Sequence, residues 1–491
     1  MGADLNENKN HYVPKLTPPY VAKALGLSLH PALAQITVPA FTSITTDSRK
    51  IIPGCLFVAL KGEQFDGHTF IDQALATGAA GVICQPGTAV KNEGKAAIYF
   101  VDDTLEAYRR LAHYWRKDFS IPMIGVAGSV GKTTTKEFLA AILSGKYKSV
   151  LKTQGSQNGF IGIPMTLLEL KAEHQCAVIE IGIDEIGAMA KHMELVNPNS
   201  SILTAIGPEH LEKLIDLPTV AREEGLALSY VGQHGGMVVI NLDDPWIRPH
   251  AKTLRLGRKF CFSMMESGAS EAPGVQAARG QLTPDGNELE VRFWTQENKK
   301  FKLPIPGAHN AANLLGAVTM AKALGLTTEE IERGLASFSG IYGRSEVKKM
   351  GGMTVICDYY NANPSSVQAG LSLLKDLAKK SAEAGSKRWA CLADMLELGT
   401  DELKLHRELA KQIIEDRVEN VLLYGTRMEA LLEELKSSQF SGQLEHFASQ
   451  AKLAERLISG VKASDTVLIK GSRGMKMEEV FKLFQKGKDA V

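Results

Sequence analysis

At 491 residues the chain is too long for one ordinary domain, and its length favours about three. With 44% hydrophobic and 23% charged residues it has the balance of a globular protein that folds in water, and a formal net charge of +1 excludes the strongly basic surface that a nucleic-acid partner would call for. No apolar run approaches the roughly 18 residues that span a bilayer, and the polar opening MGADLNENKN lacks a secretory core, so a cytoplasmic protein with no membrane span is expected.

From about Lys15 to Phe119, short apolar runs (CLFVAL, GVICQ, AAIYFV) alternate with helical stretches (TFIDQALATGAA, TLEAYRRLAHYW). This predicts a small mixed α/β domain over residues 1–119. The SIP at 120–122 reads as a hinge. A central domain over 120–340 follows, in which MIGVAG, CAVIEIG, SSILTAIG and GGMVVINL are continuous apolar strands of a mostly parallel sheet, each leading into a helix. A more polar β-like insert from Val275 to Leu303 interrupts it, and helix resumes after Pro304 and Pro306. In residues 341–491, TVICDYY, RWACLADM, VENVLLYG and DTVLIKG alternate with amphipathic helices such as DELKLHRELAKQII and MEALLEELKSS, as in a Rossmann-like α/β domain. The six cysteines are scattered without a Cys-x-x-Cys pair, and several lie inside apolar runs, so reduced core thiols are expected.

The strongest local signal is IGVAGSVGKTTTKEFLAAIL, residues 124–143. A strand enters a turn made by Gly128, Ser129, Val130 and Gly131, and Lys132, Thr133 and Thr134 open a helix. Glycines let backbone N–H groups approach phosphate oxygens, and the helix N-terminus adds positive partial charge. Lys132 would reach the β- and γ-phosphates of ATP, and the Thr133 hydroxyl would bind Mg²⁺. The strict pattern G-x-x-x-x-G-K-[ST] is not met, because its first glycine would stand at Val126. Glu180 near the end of CAVIEIG, and His210 just past SSILTAIG, lie at the strand ends where open α/β sheets bind ligands. Glu180 is a sensible Mg²⁺ ligand; on spacing alone, a lone histidine is more often structural.

Taken in order, these pieces resemble the Mur ligase superfamily over nearly the whole chain, and in particular its dipeptide-adding branch. TDSRKIIPGCLFVALKGEQFDGHTFI is similar to the family's uridine-nucleotide segment, GSVGKTTTK to its phosphate loop, and GAHNAAN and YGRSEV to its nucleotide-contacting motifs. DYYNANPSS, LADMLELG and VLIKGSRGMKMEEV are typical of the dipeptide-adding branch. The resemblance implies an ATP- and Mg²⁺-dependent ligase joining D-alanyl-D-alanine to UDP-N-acetylmuramoyl-tripeptide through an acyl phosphate, working as a monomer on small molecules alone. It implies metal roles for Thr133, Glu180 and His210, and adenine-side contacts for Asn310 and Asn313. It also places Arg344 near the phosphates, Asp358 at the ribose, Ser48 and Arg49 at the uridine nucleotide, and Asn361 and Asn363 at the dipeptide. For Asn361-x-Asn363-Pro364 a simple turn is the competing reading.

Two departures stand out. Where the family carbamylates a lysine with CO₂ to support a second Mg²⁺, this chain has Glu224. Either that glutamate supplies the carboxylate itself, reaching the metal through water, or it is an exposed helix residue beside Arg222 and Glu223. In TQGSQNGFIGIP only Asn158 keeps the family's asparagine pattern at this substrate-handling segment. Alternatives are a ligase with another amino acceptor, such as a folylpolyglutamate synthetase, and a nucleotide-binding scaffold without catalysis. The TDSR segment and the NANP and DMLELG motifs argue against the first. Lys132, Thr133, Glu180 and His210 argue against the second.

Overall fold

The structure, a computed structural model, describes residues 15–28, 40–62, 65–91, 96–255, 257–265, 276–380 and 385–489. The polar first ten residues, residues 63 and 64 of the TDSR segment, and the Val275 start of the insert lie outside them. Among the described residues two compact units emerge: one comprises those up to Met123 with residues 148–180 and 191–198, the other residues 124–147, 181–190 and those from 199 onward.

In the first unit, β1 (Ile44–Thr45), β2 (Leu56–Val58), β3 (Gly81–Cys84) and β4 (Ala97–Phe100) form a four-stranded sheet in that order, all parallel. Phe57, Val82 and Cys84 make its core with Ile71 and Ala74 of the helix Ile71–Thr77. Asp103 starts the helix Thr104–Arg116 by accepting from the N–H groups of Leu105 and Glu106. Near the end of that helix, the Arg116 guanidinium donates to the carbonyls of Val196, Asn197 and Phe119 at 3.0, 3.0 and 2.8 Å. The charge therefore sits on the last carbonyls of the helix Ala188–Val196, where the helix dipole favours a cation.

Strand β5 (Met123–Ala127) leads into the second unit, while β6 (Val150–Lys152) and β7 (Cys176–Glu180) pair in parallel in the first. The second unit continues with β8 (Ser200–Leu203), β9 (Met237–Asn241), β10 (Arg258–Ser263), β11 (Gln276–Leu282), β12 (Glu288–Arg292) and β13 (Asn298–Lys302). The order runs β13-β12-β11-β10-β9-β8-β5, parallel from β5 to β11 and antiparallel beyond. The insert thus extends the sheet at its edge instead of interrupting it. The alternation of exposed and buried residues along β12 suits a hairpin with one face in water.

The C-terminal sheet has β14 (Glu346–Met350), β15 (Met353–Asp358), β16 (Arg388–Ala393), β17 (Asn420–Tyr424), β18 (Gln443–Phe447) and β19 (Thr466–Lys470), in the order β14-β15-β19-β16-β17-β18. Only β14 is antiparallel to its neighbour. Placing β19 between β15 and β16 puts Asp358 beside Lys470 at the carboxyl edge. All six cysteines are buried free thiols, as expected. Among the described residues, no helix is long and apolar enough to cross a membrane.

Candidate active site

The phosphate loop follows from β5 and two glycines. After Ala127 the chain turns through Gly128 (φ 118°) and Gly131 (φ 90°) into the helix Lys132–Leu143. A Cβ on Gly128 would lie 2.3 Å from Thr204 Oγ1, and one on Gly131 2.3 Å from Asn313 Oδ1, so both positions demand glycine. Val126 lies within β5, so the glycine missing from the strict pattern falls where a strand needs none. The Ser129 N–H donates to Ala205 O at 2.7 Å and the Thr204 hydroxyl to Val130 O at 2.6 Å, which hold the loop's shape. No side chain caps the helix at Gly131, so its N-terminus is built to meet an anion. Thr133 and Thr134 are buried in its first turn. The cradle fits a triphosphate.

Lys132 stands between two acids. Its Nζ lies 3.2 Å from Glu209 Oε2, 3.9 Å from Glu224 Oε1 and 3.5 Å from Ser129 O. Glu209 was not anticipated; only its place before His210 hinted at it. Glu224 is fully buried on the helix Leu217–Gln233, which overturns the reading of an exposed helix residue. Its Oε2 accepts the Gly128 N–H at 2.6 Å. Burial drives its pKa up to about 8; Lys132 and the Gly128 N–H oppose the rise, and Glu209 adds to it. The loop amide and ammonium that a phosphate would engage are thus met by the chain's own carboxylates.

His210 adopts a left-handed backbone (φ 48°) ahead of a short turn, and its Nδ1 lies 2.6 Å from Glu397 Oε2 in the LADMLELG segment. Burial lowers its pKa, but the Glu397 hydrogen bond and the Glu209 and Glu397 charges outweigh this, so the net shift is upward. Behind that segment, the Met395 N–H donates to buried His406 Nε2 at 3.0 Å. Ile215, between His210 and the Glu224 helix, is 69% exposed with φ 71° and ψ −63°. The Asp216 N–H closes a γ-turn onto Leu214 O at 2.8 Å. A β-branched residue in this conformation is strained. Ile215→Gly is therefore expected to stabilise the protein by about 1 kcal/mol, the relief of strain exceeding glycine's entropy in the unfolded chain. Comparing the melting temperatures of the two proteins checks this.

In the first unit, Glu180 ends β7 and is buried; Asn158 Nδ2 donates to its Oε1 at 2.8 Å, and its N–H donates to Thr153 Oγ1 at 3.0 Å. Ser48 and Arg49 lie in a single turn capped by Asp47, whose carboxylate binds Arg49 Nε and Nη2 at 2.9 Å each. Those hydrogen bonds lower the Asp47 pKa to about 2. Arg49 remains exposed.

The nucleotide motifs converge around β15. Asp358 Oδ1 accepts the Ser345 N–H at 3.0 Å and Oδ2 pairs with buried Lys470 at 2.7 Å. His309 Nε2 lies 3.2 Å from Ser345 Oγ, joining GAHNAAN to YGRSEV. Arg344 stacks over Tyr360 at 4.4 Å. Asn310 is buried and donates to Pro306 O at 2.8 Å, while Asn313 packs against the phosphate loop at Gly131. Asn363 caps the helix Pro364–Lys380, its Oδ1 accepting the Ser366 N–H at 2.9 Å, so the turn reading describes its side chain. Asn361 is the exposed member of the pair. Among the described residues no group of three or more His, Cys, Asp or Glu is arranged to hold a metal.

A glycine cradle with a lysine at its head, set in parallel α/β sheets, defines a phosphate-loop nucleotide-binding protein. Residues 40–116 match the model of the Mur ligase family catalytic domain, 126–321 the Mur ligase middle domain, and 343–473 the Mur ligase glutamate ligase domain. The chain belongs to the Mur ligase family. It is 32% identical to the UDP-N-acetylmuramoyl-tripeptide--D-alanyl-D-alanine ligase of Bacillus subtilis (strain 168), covering 89% of this chain and 92% of that protein. It is 33% identical to the same-named ligase of Escherichia coli (strain K12), over 92% and 95%. A crystal structure of MurF from Acinetobacter baumannii superimposes with a TM-score of 0.83 at 28% identity, covering 96% of this chain and 99% of that one. MurF ligase from Thermotoga maritima, in complex with ADP, gives 0.78 at 25% identity, over 91% and 98%.

Proposed function

We propose that this chain is an ATP-dependent ligase that adds D-alanyl-D-alanine to UDP-N-acetylmuramoyl-tripeptide, forming a C–N bond, ADP and phosphate in peptidoglycan precursor synthesis. The observation that carries the reading is Lys132, held at the mouth of a glycine loop that no larger residue could form. The substrate carboxylate attacks the γ-phosphoryl of ATP to give an acyl phosphate. The dipeptide amine then attacks the acyl carbon, and phosphate leaves. Two anions meet in the first step, so Lys132 and the amides opening its helix offset their repulsion.

Mg²⁺, when bound, neutralises further phosphate charge, and Thr133, Glu180 and His210 are its proposed protein ligands. His210 would exchange its bond to Glu397 for this role. Glu224 supplies a carboxyl group that needs no CO₂; a bound cation would favour its ionised form, and, held on Gly128, it would meet the metal through water. Residues 1–119 would hold the uridine nucleotide through Ser48 and Arg49, and 120–340 the triphosphate. Residues 341–491 would hold the ribose at Asp358 and the dipeptide near Asn361. A monomer working in the cytoplasm completes the proposal, since every motif lies on one chain.

Phosphate release measured with ATP and UDP-N-acetylmuramoyl-tripeptide should rise with D-alanyl-D-alanine and not with single amino acids. Equal rates with and without the dipeptide would end this reading. The same assay in bicarbonate-stripped buffer should run at an unchanged rate. A reversible loss there would mean that a lysine elsewhere carries a carbamate.

A further inference from the structure

One cluster in the first unit takes no part in the chemistry above. Phe160 lies two residues beyond Asn158, half-buried at the end of a loop whose Gln154, Gly155 and Gln157 are exposed. Two cations hold its ring. The Arg109 guanidinium carbon lies 4.9 Å from the ring centroid and Lys191 Nζ 5.5 Å from it. The buried His192 ring packs at 4.6 Å. Arg109 also donates to Lys191 O at 3.1 Å and approaches His192 Nδ1 at 3.5 Å, so the helices Thr104–Arg116 and Ala188–Val196 present the cations as one piece. Burial and the two cations hold His192 neutral, with its pKa down to about 3. The acids near the group are Glu106, 3.9 Å from Arg109 Nε and largely exposed, and Glu194, whose charge also acts on Arg109. An aromatic ring approached by two cations is an attractive arrangement, and it holds the ring in place.

The loop that Phe160 ends also holds Glu180. Thr153, at its start, accepts the Glu180 N–H at 3.0 Å, and Asn158, two residues before the ring, donates to the Glu180 carboxylate at 2.8 Å. We propose that Phe160, clasped by Arg109 and Lys191, is a positioning residue for Glu180: it fixes the loop so that the Asn158 amide holds the carboxylate in one orientation for the metal. The inference rests on the reading of Glu180 as an Mg²⁺ ligand. Groups that orient a metal-binding carboxylate commonly change metal affinity by about 10- to 100-fold when removed.

Mn²⁺ binding in the presence of ADP, followed by loss of the free-ion electron paramagnetic resonance signal, tests this without turnover. Glu180→Ala should weaken Mn²⁺ binding most. Asn158→Ala and Phe160→Ala should each raise the Mn²⁺ dissociation constant about tenfold, and the double variant should be no worse than Asn158→Ala alone. Phe160→Tyr, which keeps the ring face, should restore wild-type affinity. Exposed Lys191→Met removes one cation without disturbing the core and should weaken binding about threefold. Wild-type affinity in both Phe160→Ala and Lys191→Met, with Glu180→Ala impaired, would overturn the clasp. Wild-type affinity in Glu180→Ala would instead overturn the metal role on which it rests.

Discussion

Lys132→Ala is expected to lower turnover by about a thousand-fold or more while the protein keeps its secondary structure. The side chain lies at the loop mouth, 3.2 Å from Glu209 and 3.9 Å from Glu224. Its removal takes the ammonium away from both acids, while the Gly128 N–H still holds Glu224. Some loss of stability should therefore accompany the loss of rate, and the two must be separated. The double variant Lys132→Ala/Glu224→Gln replaces the buried acid with a neutral amide that still accepts the Gly128 N–H, and should recover melting temperature without recovering activity. Recovery of both would show that Lys132 serves the fold alone. Steady-state kinetics and thermal melts on the same preparations decide between these outcomes.

The second large effect concerns pH. Burial pushes the Glu224 carboxyl from 4.5 to about 8, against the pull of Lys132 and the Gly128 N–H and with a further push from Glu209. Between those values the folded protein holds a proton that the unfolded chain has released. Its stability therefore falls as pH rises from about 4.5, and the loss is complete above about 8. A rise of that size corresponds to about 4–5 kcal/mol at most. Glu224→Gln keeps an acceptor for the Gly128 N–H and cannot ionise. The nucleotide-free wild type should lose about 5 °C more than the variant between pH 5 and pH 8. Parallel melting curves would show that Glu224 does not titrate in this range.

Much of this arrangement was legible in the residues. The strands that carry the site, MIGVAG, CAVIEIG, SSILTAIG and TVICDYY, are mostly apolar because both faces of a parallel sheet are covered, and they appear as β5, β7, β8 and β15. The phosphate loop was legible because glycine, lysine and threonine have few other reasons to follow a strand in that order. Glu224 was harder, since it stands in the charged run Arg222-Glu223-Glu224. Yet Val220, Ala227, Leu228 and Val231 are buried on the same helix, and helical spacing places position 224 on their face. Glu209 could not be read from spacing, because its role depends on Lys132, which is distant in sequence. The Phe160 clasp was hidden for the same reason: Arg109, Phe160 and Lys191 lie on three separate segments. Asn363 shows how a polar residue inside a motif can also serve the fold, its side chain capping a helix.

The proposed reaction requires the substrate carboxylate to attack the terminal phosphoryl group at the Lys132 loop. UDP-N-acetylmuramoyl-tripeptide carrying ¹⁸O in its terminal carboxylate, turned over with ATP and D-alanyl-D-alanine, tests that step through the mass of the released phosphate. One ¹⁸O atom per phosphate is predicted, because the attacking oxygen departs with phosphorus when the amine displaces it. Phosphate free of label, with the amide product formed, would contradict the acyl-phosphate route.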